Sequence, residues 1–188
     1  MLNTTPTDIP GLLIIKPRLF TDHRGYFFES YNEHQFREHN LNFRFVQDNE
    51  SRSEKNVIRG LHYQLEPYAQ TKLLRVTEGT IFDVAVDMRK NSPSYGMWRG
   101  LEISAENKLQ LLIPKGCAHG FRVISDSAIV FYKCDQFYHQ DYERAVLFSD
   151  KTIGIEWGID PDQAIVSSKD KDAPLFANAD NNFNFTEA

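Results

Sequence analysis

Arg59, His62 and Lys72 fall within the length of one strand, turn and strand, in the runs Arg59-Gly60-Leu61-His62-Tyr63-Gln64 and Gln70-Thr71-Lys72. Residues around them favour β structure, so two cations and a titratable base can converge on one small cavity. Arg59 can hold a phosphate or carboxylate through two parallel hydrogen bonds. His62 can move a proton near neutral pH, and Lys72 can stabilise negative charge developing on an oxygen. The competing interpretation is a packed core histidine flanked by rim charges whose ion pairs are worth little. Strict alternation sets Arg59 and His62 on opposite faces of a regular strand. Both reach one ligand only if Gly60 marks a bulge or Arg59 ends the strand.

Tyr132 is the next candidate, because a buried phenol can return a proton from the side opposite a base. Taken alone it reads equally as a core aromatic whose hydroxyl meets a carbonyl. His119, just after Pro114-Lys115-Gly116, is on its own a loop histidine. Paired with His62 it raises a metal site drawn from two strands. The run His62-Tyr63-Gln64 supplies no second histidine two residues on, and three good ligands are hard to assemble, so no metal is expected. Phe20-Thr21-Asp22-His23-Arg24-Gly25-Tyr26-Phe27-Phe28-Glu29 joins a turn to an alternating strand. Arg24 suits a phosphate, Phe27 a stacked base, and Glu29 a ring N–H, although the segment alone is an ordinary turn and edge strand.

Strands must position these groups. The clearest is Ile81 to Met88, with Phe82, Val84, Val86 and Met88 on a core side and Ile81, Asp83, Ala85 and Asp87 on a partly polar one. Comparable runs are Tyr26 to Tyr31, Phe43 to Gln47, Val57 to Gln64, Thr71 to Thr77, Trp98 to Ile103, Leu109 to Ile113 and Ala128 to Cys134, separated by Gly, Pro and Ser turns. Only Glu33 to His39, capped by Asn32, reads as a helix. Many short punctuated strands imply an all-β sandwich or barrel, a jelly roll foremost, with few short helices. In Ala128 to Cys134 both faces are apolar, which calls for a cover, a second subunit being one.

The chain of 188 residues is long enough for one well-filled core, and residues 1–188 are expected to form one domain with a loop-rich tail from about Asp160. A composition 41% hydrophobic, 13% aromatic and 25% charged is that of a globular protein. The net charge of −5 argues against nucleic-acid binding, which needs a broad basic excess, but leaves a small anionic ligand open. No apolar run approaches the roughly 20 residues of a membrane helix, and the first ten residues carry no basic-then-apolar leader, so a cytoplasmic protein is expected. Cys117 and Cys134 make no disulfide framework and are expected as thiols.

The motifs also occur in one order. Phe20-x-Asp22-x-Arg24-Gly25-x-Phe27-x-Glu29, Val46-Gln47-Asp48-Asn49, Arg59 to Gln64, Asp83-Val84-Ala85-Val86-Asp87, Ile113-Pro114-x-Gly116-x-Ala118-His119-Gly120-Phe121, Tyr132-Lys133-Cys134 and Ser168-Lys169-Asp170 together resemble the dTDP-4-dehydrorhamnose 3,5-epimerase family from about Phe20 to Pro174. Each motif is weak alone, and seven in sequence are specific. The resemblance implies a metal-free, cofactor-independent jelly roll of the cupin type, usually a homodimer. It would invert C3 and C5 of dTDP-4-dehydro-6-deoxy-D-glucose beside the C4 ketone, giving the L-rhamnose precursor dTDP-4-dehydro-L-rhamnose. It further implies His62 as the base, Asp170 as its orienting partner, Tyr132 as the opposing acid and Lys72 facing the C4 oxygen. Binding would fall to Arg24, Phe27, Glu29, Gln47, Asn49, Arg59, His119, Tyr138, Glu143 and Lys169, with the Arg24 to Glu29 segment entering a neighbouring subunit's site.

Three departures from the family pattern bear on which carbons react, since related enzymes invert only C3 or only C5. Arg144 to Asp150 stands where a Gly-Ile-x-Trp-Asn-Asp-Pro-like run is common, Cys117 replaces an aromatic, and His139-Gln140-Asp141-Tyr142 lacks a common proline. All three are expected near the sugar pocket. The other classes in view are a metal-dependent cupin enzyme and a nucleotide-sugar-binding module without catalysis. The module would have no need of an acid–base pair.

Overall fold

Runs with two-residue periodicity become strands here because each has at least one side to bury. The computed structural model describes residues 2–186. A first pair, β1 (Asn3–Pro6) and β2 (Leu13–Lys16), precedes a hairpin of β3 (Phe20–Asp22) and β4 (Gly25–Phe27) and a helix, α1 (Glu33–Glu38). Then come β5 (Gln47–Glu54), β6 (Ile58–Gln64), β7 (Lys72–Glu78), β8 (Thr80–Asp87), β9 (Trp98–Ser104), β10 (Gln110–Ile113), β11 (Cys117–Val123), β12 (Ser127–Cys134) and β13 (Glu143–Ala145), followed by α2 (Ser168–Lys171). One sheet runs β1-β2-β10-β7-β12-β5, a second runs β13-β6-β11-β8-β9, and β3-β4 stands apart. Neighbouring strands pair antiparallel throughout. The two sheets face one another as the expected all-β jelly-roll sandwich.

Apolar packing occurs in three places. Ile81, Ala85, Leu74, Ile103, Leu111, Phe121 and Val130 fill the space between the sheets. Val84, Val86, Met88, Phe148, Trp157 and Phe183 form a second cluster on the outer face of the five-stranded sheet. Leu73, Leu112, Ile15 and Phe36 of α1 form a third, outside the six-stranded sheet. Each fully buried Ile, Leu or Phe contributes about 1.5–3 kcal/mol, so these clusters carry the fold.

Several sequence expectations need correction. β8 does not divide into a core side and a partly polar one, because both sides are buried: Asp83 and Asp87 are fully buried, and residues after β13 cover its other face. Asp87 survives burial because Arg89, Ser92 and Ser94 all donate to its carboxylate. The strand expected over Tyr26 to Tyr31 ends at Phe27, because Phe28 and Tyr31 leave the hairpin to pack on the outside of the six-stranded sheet. Phe43 to Val46 is not strand; Phe43 and Phe45 pack beside Tyr31 instead. α1 forms as read, with Asn32 Oδ1 accepting from His34 N and Gln35 N. The tail from Asp160 is mostly irregular but contains α2, and Phe176 and Phe183 pack in the second cluster. The outward Phe131 of β12 is partly covered within the chain, by the guanidinium of Arg75 and the ammonium of Lys133.

Candidate active site

Gly60 decides the geometry of β6. His119 of β11 pairs with His62, while Phe121 pairs with Arg59, so two steps along β11 match three along β6 and the ladder bulges between them. Gly60 takes φ +126, and a Cβ there would stand 2.5 Å from Gly120 Cα and 2.8 Å from His119 O. Only glycine fits this close backbone approach. The extra residue turns Arg59 and His62 to the same side, and both line one cavity of about 470 Å³.

The cavity lies between the sheets. Arg59, His62 and His119 reach it from the five-stranded sheet, Lys72, Tyr132 and Ser51 from the six-stranded one, and Lys169 and Asp170 from α2. His62 Nε2 is 2.6 Å from Asp170 Oδ1. Asp170 is held by its place in α2, where its N–H donates to the capping Ser167 Oγ, and Gly60 N–H approaches the other carboxylate oxygen at 3.4 Å. Burial works to raise the Asp170 carboxyl, but the His62 hydrogen bond and charge outweigh it and hold the acid below the usual carboxylate range. An ionised Asp170 accepts the proton of Nε2, which leaves His62 Nδ1 with the lone pair.

Lys72 Nζ makes no hydrogen bond or ion pair among the described residues and lies 5.9 Å from the centre of the Tyr132 ring. Burial lowers its pKa, against the pull of Cys134, Asp83 and Glu143. Burial likewise raises the Tyr132 phenol, which stays protonated at neutral pH. Beneath them Cys134 is fully buried, its thiol pushed up to about 11, and Asn49 Nδ2 donates to its sulfur. His119 has a carboxylate of its own, with Nε2 2.8 Å from Asp83 Oδ1. Among the described residues no three His, Cys, Asp or Glu side chains are arranged to hold a metal ion.

At the mouth, Glu143 Oε2 accepts from Tyr138 Oη at 2.9 Å and from Lys169 Nζ. Burial raises Glu143, and those two hydrogen bonds bring it below the ordinary value. Gln47 and Asn49 hydrogen-bond each other on the inward face of β5. Arg24, Phe27 and Glu29 do not join the cavity of their own chain. Arg24 pairs with Asp22, Phe27 is 67% exposed, and Glu29 accepts from Asn32 and Gln35.

Sequence reasoning passed over Ser51, Ser53, Ser167 and Asp83. Ser53 Oγ accepts from Arg59 Nε at 2.8 Å and so aims the guanidinium. The period-two spacing Gln47, Asn49, Ser51, Ser53 was the available signal for the serines. A carboxylate amid Ile81, Phe82, Val84 and Ala85 was the signal for Asp83, because a buried acid needs a partner. Two of the three departures also fall differently from expectation. Cys117 is packed in the inter-sheet core with its thiol raised to about 12, away from the cavity lining. Val146 and Phe148 pack on the outer cluster, and His139 stacks on Tyr68 at 4.1 Å. A Gly-Ile-x-Trp run is present later, as Gly154-Ile155-Glu156-Trp157, so Arg144 to Asp150 precedes it rather than replacing it.

A family model described as dTDP-4-dehydrorhamnose 3,5-epimerase matches residues 6–178. A dTDP-4-dehydrorhamnose 3,5-epimerase of Shigella flexneri is 52% identical over 180 residues, 95% of this chain and 98% of that one. Among solved structures, the enzyme of that name from Elizabethkingia anophelis superposes with a TM-score of 0.91 at 47% identity, covering 94% of this chain and 97% of its own. A dTDP-6-deoxy-D-glucose-3,5-epimerase from Legionella pneumophila, solved with dTDP-4-keto-L-rhamnose, has a TM-score of 0.91 and 44% identity, covering 96% and 95%.

Proposed function

Because the chain belongs to the dTDP-4-dehydrorhamnose 3,5-epimerase family, we propose that it inverts C3 and C5 of dTDP-4-dehydro-6-deoxy-D-glucose, giving dTDP-4-dehydro-L-rhamnose. One observation carries this reading: His62 and Tyr132 stand on opposite walls of one cavity, on different sheets, with Lys72 beside Tyr132. A proton next to a ketone is too weakly acidic for a neutral imidazole unless the enolate is stabilised as it forms. Lys72, with no internal partner, supplies that positive charge at the C4 oxygen. His62 Nδ1 takes the carbon-bound proton, and Asp170 stabilises the imidazolium. A single group would return the proton to the face it left, so inversion needs a donor across the sugar, and Tyr132 is that donor. The ketone is already in the substrate, so these residues complete the proton transfers themselves.

Arg59, aimed by Ser53, is the diphosphate anchor; Gln47, Asn49, His119, Tyr138, Glu143 and Lys169 bind nucleotide and sugar around it. The exposed hairpin carrying Arg24 and Phe27, with Glu29 just beyond it, completes the site of a second copy in a homodimer. Its distance from its own cavity and the exposed rings of Phe20, Tyr26 and Phe27 support that reading. The chain works as one domain in the cytoplasm; no helix among the described residues is long and apolar enough to cross a membrane.

The test is incubation with the substrate in heavy water, following both carbons by NMR. Deuterium enters at C3 and C5. Exchange at neither carbon would sink the proposal, and exchange at one would reduce it to a single-site epimerase. His62→Ala abolishes exchange while leaving dTDP affinity within about threefold, because affinity rests on residues other than the base; full exchange by this variant removes His62 from the role of base.

A further inference from the structure

Gln64 lies on β6 two residues beyond His62 and is 5% exposed. Its carboxamide is bonded at both ends to the backbones of two surface segments. Nε2 donates to Tyr68 O at 2.7 Å and to Phe137 O at 3.2 Å, and Oε1 accepts from His139 N at 2.6 Å. Between those last two grips, Tyr138 N donates to Gln47 Oε1 at 2.9 Å. Three successive residues are therefore fastened through their backbones to the strands that form the cavity walls. Tyr138 itself stays 52% exposed and reaches Glu143 through its hydroxyl.

We propose that Gln64 is a positioning residue that sets Tyr138 over the cavity mouth, through a clamp that needs a side chain able both to donate and to accept. Two carbonyls face Nε2 and one N–H faces Oε1, so the site needs a donating end and an accepting end. A carboxylate would set an anion against the carbonyls of Tyr68 and Phe137, and an apolar side chain would leave all three groups unanswered. Tyr138 connects to the cavity through Glu143 and Lys169, of which Lys169 lines it, whereas His62, Lys72 and Tyr132 all line the cavity itself. A loosened clamp therefore weakens substrate binding and spares the proton transfers.

The proposal rests on the epimerase reading, so it is measured by exchange kinetics with the same substrate. Wild-type protein that exchanges neither proton would defeat that reading. With an active wild type, Gln64→Glu and the nearly isosteric Gln64→Met raise KM roughly tenfold and leave kcat within roughly threefold. Combined with Tyr138→Ala, either substitution adds no further rise, because its effect passes through that side chain. Gln64→Glu also recovers towards wild-type KM as pH falls, since a protonated carboxyl both donates and accepts, whereas Gln64→Met does not recover. A glutamine that merely plugs the sheet would lower thermal stability, leave KM alone, and show no pH rescue. Wild-type KM in both variants, or a KM effect that adds to that of Tyr138→Ala, overturns the clamp. If Gln64→Glu does not fold, Gln64→Met and its cycle with Tyr138→Ala decide.

Discussion

Asp170→Asn keeps the size of the side chain and removes its charge, which isolates what the carboxylate does for His62. The two groups meet at 2.6 Å, with the Asp170 side chain 5% and the His62 side chain 32% exposed. Before the carbon proton moves, the reacting imidazole must be neutral to accept it, so it meets the carboxylate through a hydrogen bond without an opposing full charge. Once Nδ1 has taken the carbon proton, a full positive charge faces a full negative one across about 4 Å. At an effective dielectric of about 20 that attraction is about 4 kcal/mol, and the exposed edge of the ring trims it to about 3 kcal/mol. At about 1.36 kcal/mol per decade, Asp170→Asn loses roughly 150- to 900-fold in rate. The loss falls on kcat, because the interaction exists only as the proton moves, and KM stays within about twofold. The measurement is the initial rate of deuterium incorporation at each carbon by NMR, with dTDP affinity by calorimetry on the same preparation. A loss below about tenfold in a folded variant, or one carried by KM, would refute the charge-stabilisation reasoning.

Two further outcomes follow from the same geometry. Gly60→Ala combines φ +126 with a Cβ 2.5 Å from Gly120 Cα, which costs at least about 3 kcal/mol; calorimetry should show Tm lower by roughly 6–12 °C, and a drop under about 2 °C would mean that the bulge tolerates a side chain. In the proposed mechanism Lys72 must be charged to face an enolate, and burial sets its pKa below the ordinary 10.5, so exchange activity acquires an alkaline limb and fades as pH rises through that lowered value. Lys72→Arg moves the alkaline limb upward, while Tyr132→Phe leaves it in place because the buried phenol titrates higher than usual; an unmoved limb in Lys72→Arg would assign it to another group.

Strands with an apolar side to bury could be read directly, and β8, β9 and β12 emerge within one or two residues of the runs that announced them. The failure at β5 has a specific cause. Its sequence, Gln47-Asp48-Asn49-Glu50-Ser51-Arg52-Ser53-Glu54, contains no apolar residue, yet it pairs along its whole length with β12. Its inward side faces a ligand cavity rather than a hydrophobic core, so Gln47, Asn49, Ser51 and Ser53 alternate as polar groups where Val or Ile would stand elsewhere. A method keyed to hydrophobicity is blind to a strand of that kind, although the alternation itself is present. Phe43 to Val46 misled in the opposite sense: aromatic residues announced a strand and were used instead to cover the back of a sheet.

The site was legible to the extent that its chemistry could be separated from its geometry. Residue types alone proposed a base, a cation and an anion anchor, but alternation set Arg59 and His62 on opposite faces, and only a local exception could unite them. Gly60 was the visible mark of that exception, since a glycine inside a strand signals a bulge or a close backbone approach, and here it is both. Asp170 lies over a hundred residues from His62 in the chain, on a helical turn inside a segment that reads as loop, so only the order of family motifs pointed to it. The bulge and α2 thus act on the same histidine from two sides. Gly60 turns its strand so that His62 faces the cavity and lends an N–H to Asp170, and Asp170 fixes which nitrogen of that histidine remains free to take a proton.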